Sequence, residues 1–327
     1  MKKRKIIVWL LCAVMLLSLT ACSGGGGSSG GEKTIVTFAD VGWDSIKLNN
    51  ALAGMVAENV FGYTWQETPG TTPVSHEALI KGEVDVCMEE WTDNIPSYKP
   101  DRDAGKLAEL GVNFNDNYQG LYIPRYLADE YPDLKTVHDL VRYPELFPDP
   151  EDSSKGIIYG GVTGWAITAI MEKKVKNYGL DRFYNYLESG SDAVLSTAMI
   201  SAWDKREPIV AYYWEPTWLL GKYDFVLLED DPYDPDGFQE GYGACPAVTV
   251  TVAASNEFAA SNPEFCEFLS RFKMPSAIIS EALAYMNDEK ATYKEAAYWL
   301  LTDSHTELIG QWLTDEQAER FAAALSK

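Results

Sequence analysis

Apolar and polar positions along the 327-residue chain follow two rhythms that take turns. "TIVTFADVGW", residues 34–43, is β-branched and aromatic and predicts a strand. "SIKLNNALAGMVAENVFGY" then places Leu48, Leu52, Met55 and Val56 at helical spacing, with Asp44 or Ser45 as N-cap. "SHEALIKG" predicts a short helix closed by Gly82, "EVDVCMEEW" a buried strand, and "YQGLYIPRYLAD" a further strand that exits into a new region. From Asp129 to Lys155 the chain is rich in Pro, Asp and Glu, with "YPDLKTVHDL" the one expected helix. A second run follows: strand "GIIYGG", helix "AITAIMEKKVKNYG", a helix around Asp181 to Glu188, helix "AVLSTAMISAWDKR", and strands "PIVAYYW" and "DFVLLE". "PAVTVTVAAS" alternates as a strand and leads into helices at 263–273 and 275–286, and "LTDEQAERFAAAL" carries a capping box from Thr314 to Gln317.

Strands alternating with helices predict mostly parallel sheets with covering helices. Two such runs predict two α/β lobes, with the chain crossing near 120–125 and returning near 246–252. No internal repeat is visible, and the low-complexity residues are confined to a Gly/Ser stretch near the N-terminus.

That N-terminus opens "MKKRKIIVWLLCAVMLLSLTAC", with four basic residues in the first five. Its apolar run is shorter than the roughly 20 residues a spanning helix needs, and residues 1–21 read as a secretory signal peptide. Leu19-Thr20-Ala21-Cys22 resembles a bacterial lipobox, in which Cys22 is lipidated and becomes the first mature residue. Residues 22–33, mostly Gly and Ser, read as a flexible tether. A globular body held by a lipid at the extracytoplasmic face of the membrane is the expected layout.

Charge narrows the partners. The chain has 49 acidic against 27 basic residues, a net charge of −22, which argues against nucleic acid and anionic lipid as partners. It favours a cationic or zwitterionic ligand, or serves solubility alone. Beyond the leader the cysteines are Cys87, Cys245 and Cys266, an odd number with no C-x-x-C pair. All three read as buried apolar residues, with a Cys245–Cys266 bridge as the alternative.

Enzyme signatures are missing: no H-E-x-x-H, G-x-S-x-G, Walker loop or dinucleotide glycine pattern occurs. His76, His138 and His305 are far apart in sequence and read as surface or capping residues. In "EDDPYDPDG", setting Gly237 at the sixth position of a calcium loop puts Pro232 first and Gly243 twelfth, where ligating carboxylates are needed. No metal and no cofactor are expected. "MEEW", with Glu89 and Glu90 beside Trp91, and Glu215 further on, keep one enzymatic alternative, a surface glycoside hydrolase.

What the sequence does supply is tryptophan at strand ends. Trp43 follows "FADVG", Trp91 follows "VDVCMEE", Trp165 follows "GIIYGGVTG" and Trp214 ends "IVAYY". Ligands of open α/β folds bind beyond the carboxyl ends of the strands. A quaternary ammonium group has no N–H to donate, so aromatic faces are the physical means of holding it. In "YYWEPTW" Trp214 would then face the ligand and Pro216 fix the turn. Glu215 would add negative potential at the rim or cap a neighbouring amide.

"FADVGWDSI", "GEVDVCMEEWTDN", "NYQGLYIP", "GVTGW", "EPIVAYYWEPTWLLGKYDFVLLED" and "EALAYMN" resemble the glycine betaine, proline betaine and choline binding proteins of ABC importers. The resemblance implies a two-lobed periplasmic-binding-protein-like fold of type II, each lobe a mixed, mostly parallel sheet with flanking helices, joined by a two-strand hinge. Residues 34–122 plus 250–327 would form lobe I, and 123–249 lobe II. It implies a monomer without turnover that captures an osmoprotective solute and delivers it to a permease driven by ATPase subunits. Trp91, Trp165 and Trp214 would form the aromatic box. Similarity to the choline-binding members at "DVGW" adds Trp43, and their tyrosine after the "QG"-like strand points to Tyr122. Betaine binders of this kind often place a His near the box for the ligand carboxylate, but Thr92-Asp93-Asn94-Ile95 follows Trp91 here. Backbone amides of Ala166 and Ile167, at a helix start, could take that carboxylate. Asp44, Asp93 and Glu215 near the box would instead suit choline. Betaine comes first, with choline or carnitine as the alternative.

Overall fold

Two five-stranded sheets organise the computed structural model, which describes residues 34–326. The expected signal peptide, Cys22 and the tether lie outside the described residues. The first sheet has the order β2-β1-β3-β10-β4, from β1 (Ile35–Asp40), β2 (Thr64–Pro69), β3 (Val86–Trp91), β4 (Ala108–Phe114) and β10 (Val250–Ala254). The second has the order β7-β6-β8-β5-β9, from β5 (Gln119–Pro124), β6 (Gly156–Val162), β7 (Tyr184–Ser189), β8 (Ala211–Trp214) and β9 (Phe225–Leu227). Three helices matter below: α1 (Asp44–Val56), α2 (Thr72–Lys81) and α3 (Ala166–Asn177). No helix among the described residues is long and apolar enough to cross a membrane.

Each sheet contains one antiparallel strand, β10 in the first and β5 in the second. Both are the strands entered directly after the chain passes from the other lobe. The parallel strands end at the cleft, so a strand arriving from the cleft side must run the opposite way. All six residues of β5 are buried and it pairs on both sides within the second sheet. The expected division at residue 122 therefore falls inside a strand, and the crossing lies earlier, over residues 115–118. The return runs through the segment leading to β10.

Several elements depart from the sequence expectation. Residues 184–189 form β7 rather than a helix from 181, because Gly156 and Gly160 of the neighbouring β6 leave room for Tyr184 and Tyr186. A Cβ built on either glycine would stand 2.6 Å from the Tyr184 ring or 2.3 Å from the Tyr186 ring. Strands β2 and β4 escaped notice because edge strands need no buried face, and β2 has no buried residue. The strand expected through Asp129 stops at Pro124, and Arg125–Glu130 is helical. In "YPDLKTVHDL" only Val137–Arg142 is helical, as a 3-10 segment opened by a capping box between Thr136 and Asp139. Gly82 closes α2 in the left-handed conformation and the Thr314–Gln317 capping box is present, as the residue types predict. Cys87, Cys245 and Cys266 are free thiols.

The two crossings are joined by one side chain. Asn117 is fully buried; its Nδ2 donates to the Val248 carbonyl at 2.6 Å, and the Val248 N–H donates to Asn117 Oδ1 at 2.9 Å. An amide is the smallest side chain that satisfies both backbone groups at once. Replacing it with alanine strands two buried polar groups, each costing about 1–3 kcal/mol. Asn117→Ala should therefore lower the unfolding free energy by at least about 2 kcal/mol, read from urea melts of the ligand-free protein; a loss within about 0.5 kcal/mol, the range of an ordinary surface substitution, would show that Val248 is otherwise satisfied.

Candidate functional site

The carboxyl ends of β1 and β3 in one lobe face those of β6 and β8 in the other, and the same device recurs in both. Trp91 and Trp214 are the last residues of β3 and β8. Trp43 and Trp165 each lie three residues beyond a strand, β1 or β6, and each is the extended residue that caps the next helix, α1 or α3. Gly42 and Gly164 precede them with φ of 98° and 90°, a region open mainly to glycine. This left-handed step turns the chain off the strand and brings the following indole back over the strand end. A structural repeat is thus present that only the Gly-Trp pairs at 42–43 and 164–165 betray in the sequence.

The four indoles stand in series, each nearly perpendicular to the next. Ring centres are 6.3 Å apart for Trp91 and Trp43 at 84°, 5.5 Å for Trp43 and Trp165 at 84°, and 4.9 Å for Trp165 and Trp214 at 89°. Each is at most 7% exposed. With Thr72, Asn94, Ala166, Ile167 and Tyr212 they line a cavity of about 340 Å³, counting space open to solvent.

Each indole N–H that is buried here needs an acceptor. Trp165 Nε1 donates across the cleft to the Val41 carbonyl at 3.1 Å. Trp43 Nε1 donates to Glu89 Oε2 at 2.6 Å, and Trp91 Nε1 donates to the same oxygen at 3.3 Å. Ser45 Oγ donates to it as well at 3.1 Å, while Asn49 Nδ2 donates to Glu89 Oε1 at 2.7 Å. Burial pushes the Glu89 carboxyl above the usual range, and these four donors pull against that rise. The lobes also meet at Thr72, whose N–H donates to the Gly164 carbonyl at 3.2 Å and whose Oγ1 accepts from the Ala166 N–H at 3.4 Å. Asn94 and Gln119 exchange amide hydrogen bonds at 3.3 and 3.2 Å, and Tyr212 Oη donates to Gln119 Oε1 at 3.0 Å.

The structure brings together Trp43, Trp91, Trp165, Trp214, Ala166 and Ile167. Tyr122, Asp44, Asp93 and Glu215 stand outside the cavity lining. Tyr122 is buried in the middle of β5, opposite Ala211 and Leu227. The tyrosine at the cavity is Tyr212, which shares a strand face with Trp214 by the two-residue period and stacks on it at 6.2 Å and 19°. That period was legible in "YYW". Asp44 accepts from Tyr293 Oη at 2.7 Å and lines a small neighbouring cavity with Asp192, whose carboxyl is pushed up to about 7 by burial and the nearby Asp44. Asp93 is held by Lys99 at 2.6 Å. The half-buried Glu215 donates its backbone N–H to Tyr118, and burial and Asp116 raise its carboxyl. Thr72 carried no sequence signal, whereas Asn94 occupies the segment after Trp91 in which a His was sought.

The carboxylates of the glycosidase alternative do not converge. Glu89 lies behind two indoles, and Glu90, on the opposite face of β3, sits 3.4 Å from His76. His76 is itself buried, between Glu90 and Asp101, rather than on the surface.

Two hinged lobes closing an aromatic cleft define a solute-binding protein. Residues 34–303 match the family model described as the substrate binding domain of ABC-type glycine betaine transport system, and the chain belongs to that family. It is a transport binding protein and not an enzyme. The glycine betaine/carnitine transport binding protein GbuC of Listeria monocytogenes is 24% identical over 155 residues, 47% of this chain and 48% of that protein. Among solved structures, an ABC-transporter choline binding protein in complex with choline superimposes with a TM-score of 0.73 at 19% identity, covering 89% of this chain and 98% of that one. Lactococcal OpuAC complexed with glycine betaine gives 0.68 at 20% identity, covering 86% and 100%. These likenesses show the two-lobed fold.

The site makes a direct comparison of tryptophans. Ala substitution of Trp91, Trp165 or Trp214 should weaken glycine betaine binding at least about thirtyfold, because a desolvated cation–π contact contributes about 2 kcal/mol and 1.4 kcal/mol is tenfold. Trp312, fully buried against Phe272 away from the cavity, is the control. Trp312→Ala should lower stability by about 3–5 kcal/mol and leave the affinity of the folded fraction unchanged. Equal affinity losses at all four positions would remove the cavity from consideration.

Proposed function

We propose that this protein captures glycine betaine or a related betaine in its closed cleft and delivers it to an ABC permease and its ATPase subunits. In this reading it works at the extracytoplasmic face of the membrane, held there by a lipid on Cys22. The observation that carries the choice of ligand is a cavity lined both by indoles and by the start of a helix. Four indoles, each nearly perpendicular to the next, present faces that suit a trimethylated ammonium. Beside Trp165, α3 begins with Ala166 and Ile167, and the positive end of the helix dipole there favours a carboxylate, which would replace Thr72 Oγ1 as the acceptor of the Ala166 N–H, now 3.4 Å away. Asp44, Asp93 and Glu215, whose proximity would have favoured a ligand without a carboxylate, are not in that lining. Choline is the second reading, supported by the fourth indole, Trp43.

A calorimetric panel distinguishes the two. Glycine betaine and proline betaine should bind at least tenfold more tightly than choline, and sugars should give no heat of binding. Tighter binding of choline would reverse the choice of ligand, and binding of a sugar without either cation would overturn the reading altogether.

A further inference from the structure

Glu89 is absent from the cavity lining, yet it is the acceptor on which the lobe-one half of the box depends. Its carboxylate is 2% exposed and takes four donors, two of them the indole N–H groups of Trp43 and Trp91. The corresponding place in the second lobe, two residues before the strand-end Trp214, holds Tyr212, which is uncharged in its hydrogen bond to Gln119 and faces the cavity. The two halves of the site therefore have the same shape and different electrostatics. One pair of indoles is backed by a carboxylate, and the other stands beside the N-terminus of α3.

Resting on the betaine reading above, we propose that Glu89 is a positioning and charge-selecting residue, which fixes the Trp43 and Trp91 ring planes and makes their faces the cationic end of the site. Two effects combine. Hydrogen bonds from both indoles to one oxygen lock the rings at 84° to each other. An ionised acceptor also pushes electron density into each ring, because hydrogen-bonded groups polarise one another, and this deepens the negative face that a cation meets. The negative charge itself lies behind the rings, where it attracts an ammonium without touching it or forming a hydrogen bond that the ammonium could not donate. The ligand's dipole is then read end to end, with its ammonium against Trp43 and Trp91 and its carboxylate toward Ala166 and Ile167.

Charged groups around Glu89 leave its charge unopposed in this lobe. The donors on α1 are neutral, and on β3 the next residue, Glu90, faces the other way toward His76. Cys87, on the same face of β3, is a buried thiol whose ionisation burial and the two glutamates suppress.

The test compares glycine betaine with 3,3-dimethylbutanoate, in which carbon replaces the quaternary nitrogen and the carboxylate is kept. Both are titrated calorimetrically into wild type, Glu89→Gln and Glu89→Asp. Glu89→Gln keeps the side-chain shape and removes the charge. It should weaken glycine betaine at least tenfold while 3,3-dimethylbutanoate changes by less than threefold, so that discrimination between the two collapses. Glu89→Asp keeps the charge and should preserve the discrimination, even where a displaced indole weakens both ligands. It keeps the proposal testable where Glu89→Gln does not fold. Equal weakening of both ligands in Glu89→Gln, or loss of discrimination in Glu89→Asp, would make Glu89 a packing residue and overturn the proposal. Wild type that binds neither molecule would refute the betaine reading, and this proposal with it.

Discussion

A trimethylated ammonium offers no N–H or O–H, so whatever holds it must use fields and contact surfaces, and the cleft presents indole faces while giving the N–H groups of Trp43, Trp91 and Trp165 acceptors. That constraint governs more than the four rings. It accounts for a carboxylate buried at Glu89, since one oxygen there serves both Trp43 and Trp91. It accounts for the left-handed glycines at 42 and 164, which aim Trp43 and Trp165 back over the strand ends. It also couples recognition to closure, because the Trp165 N–H finds its acceptor, Val41, only on the opposite lobe.

The hinge serves the same end. Two lobes can bring strand ends face to face only if the chain crosses between them at the cleft, which obliges the entering strands β5 and β10 to run antiparallel to their sheets. Asn117 ties the crossings together through both backbone groups of Val248. The pair gives the junction a fixed local geometry about which closure can occur, while Thr72, Asn94 and Gln119 make the contacts that form as the lobes meet.

Much of this was legible in the chain, for identifiable reasons. Buried parallel strands announce themselves as apolar runs, and four of them ended in or just before tryptophan, so the box could be placed before any fold was known. Edge strands such as β2 and the tyrosine strand β7 did not show, because the first has no buried face and the second depends on glycines almost 30 residues away that only the sheet brings alongside. Side chains that matter through another residue were also invisible. Glu89 and Glu90 look alike in "MEEW", and only the strand's alternation separates a carboxylate that backs the indoles from one that meets His76. Tyr122 drew attention through its neighbours in sequence, whereas Tyr212 holds the position through its register with Trp214.

The central claim is that a cation is held among perpendicular indole faces at the ends of four strands. The most direct measurement is a crystal structure of the protein with glycine betaine bound. The account predicts the quaternary nitrogen within about 6 Å of the ring centres of Trp43 and Trp91 and of at least one of Trp165 and Trp214, with the carboxylate at the Ala166 and Ile167 amides. A ligand bound outside these rings, or one that turns its carboxylate toward Trp43 and Trp91, would contradict it.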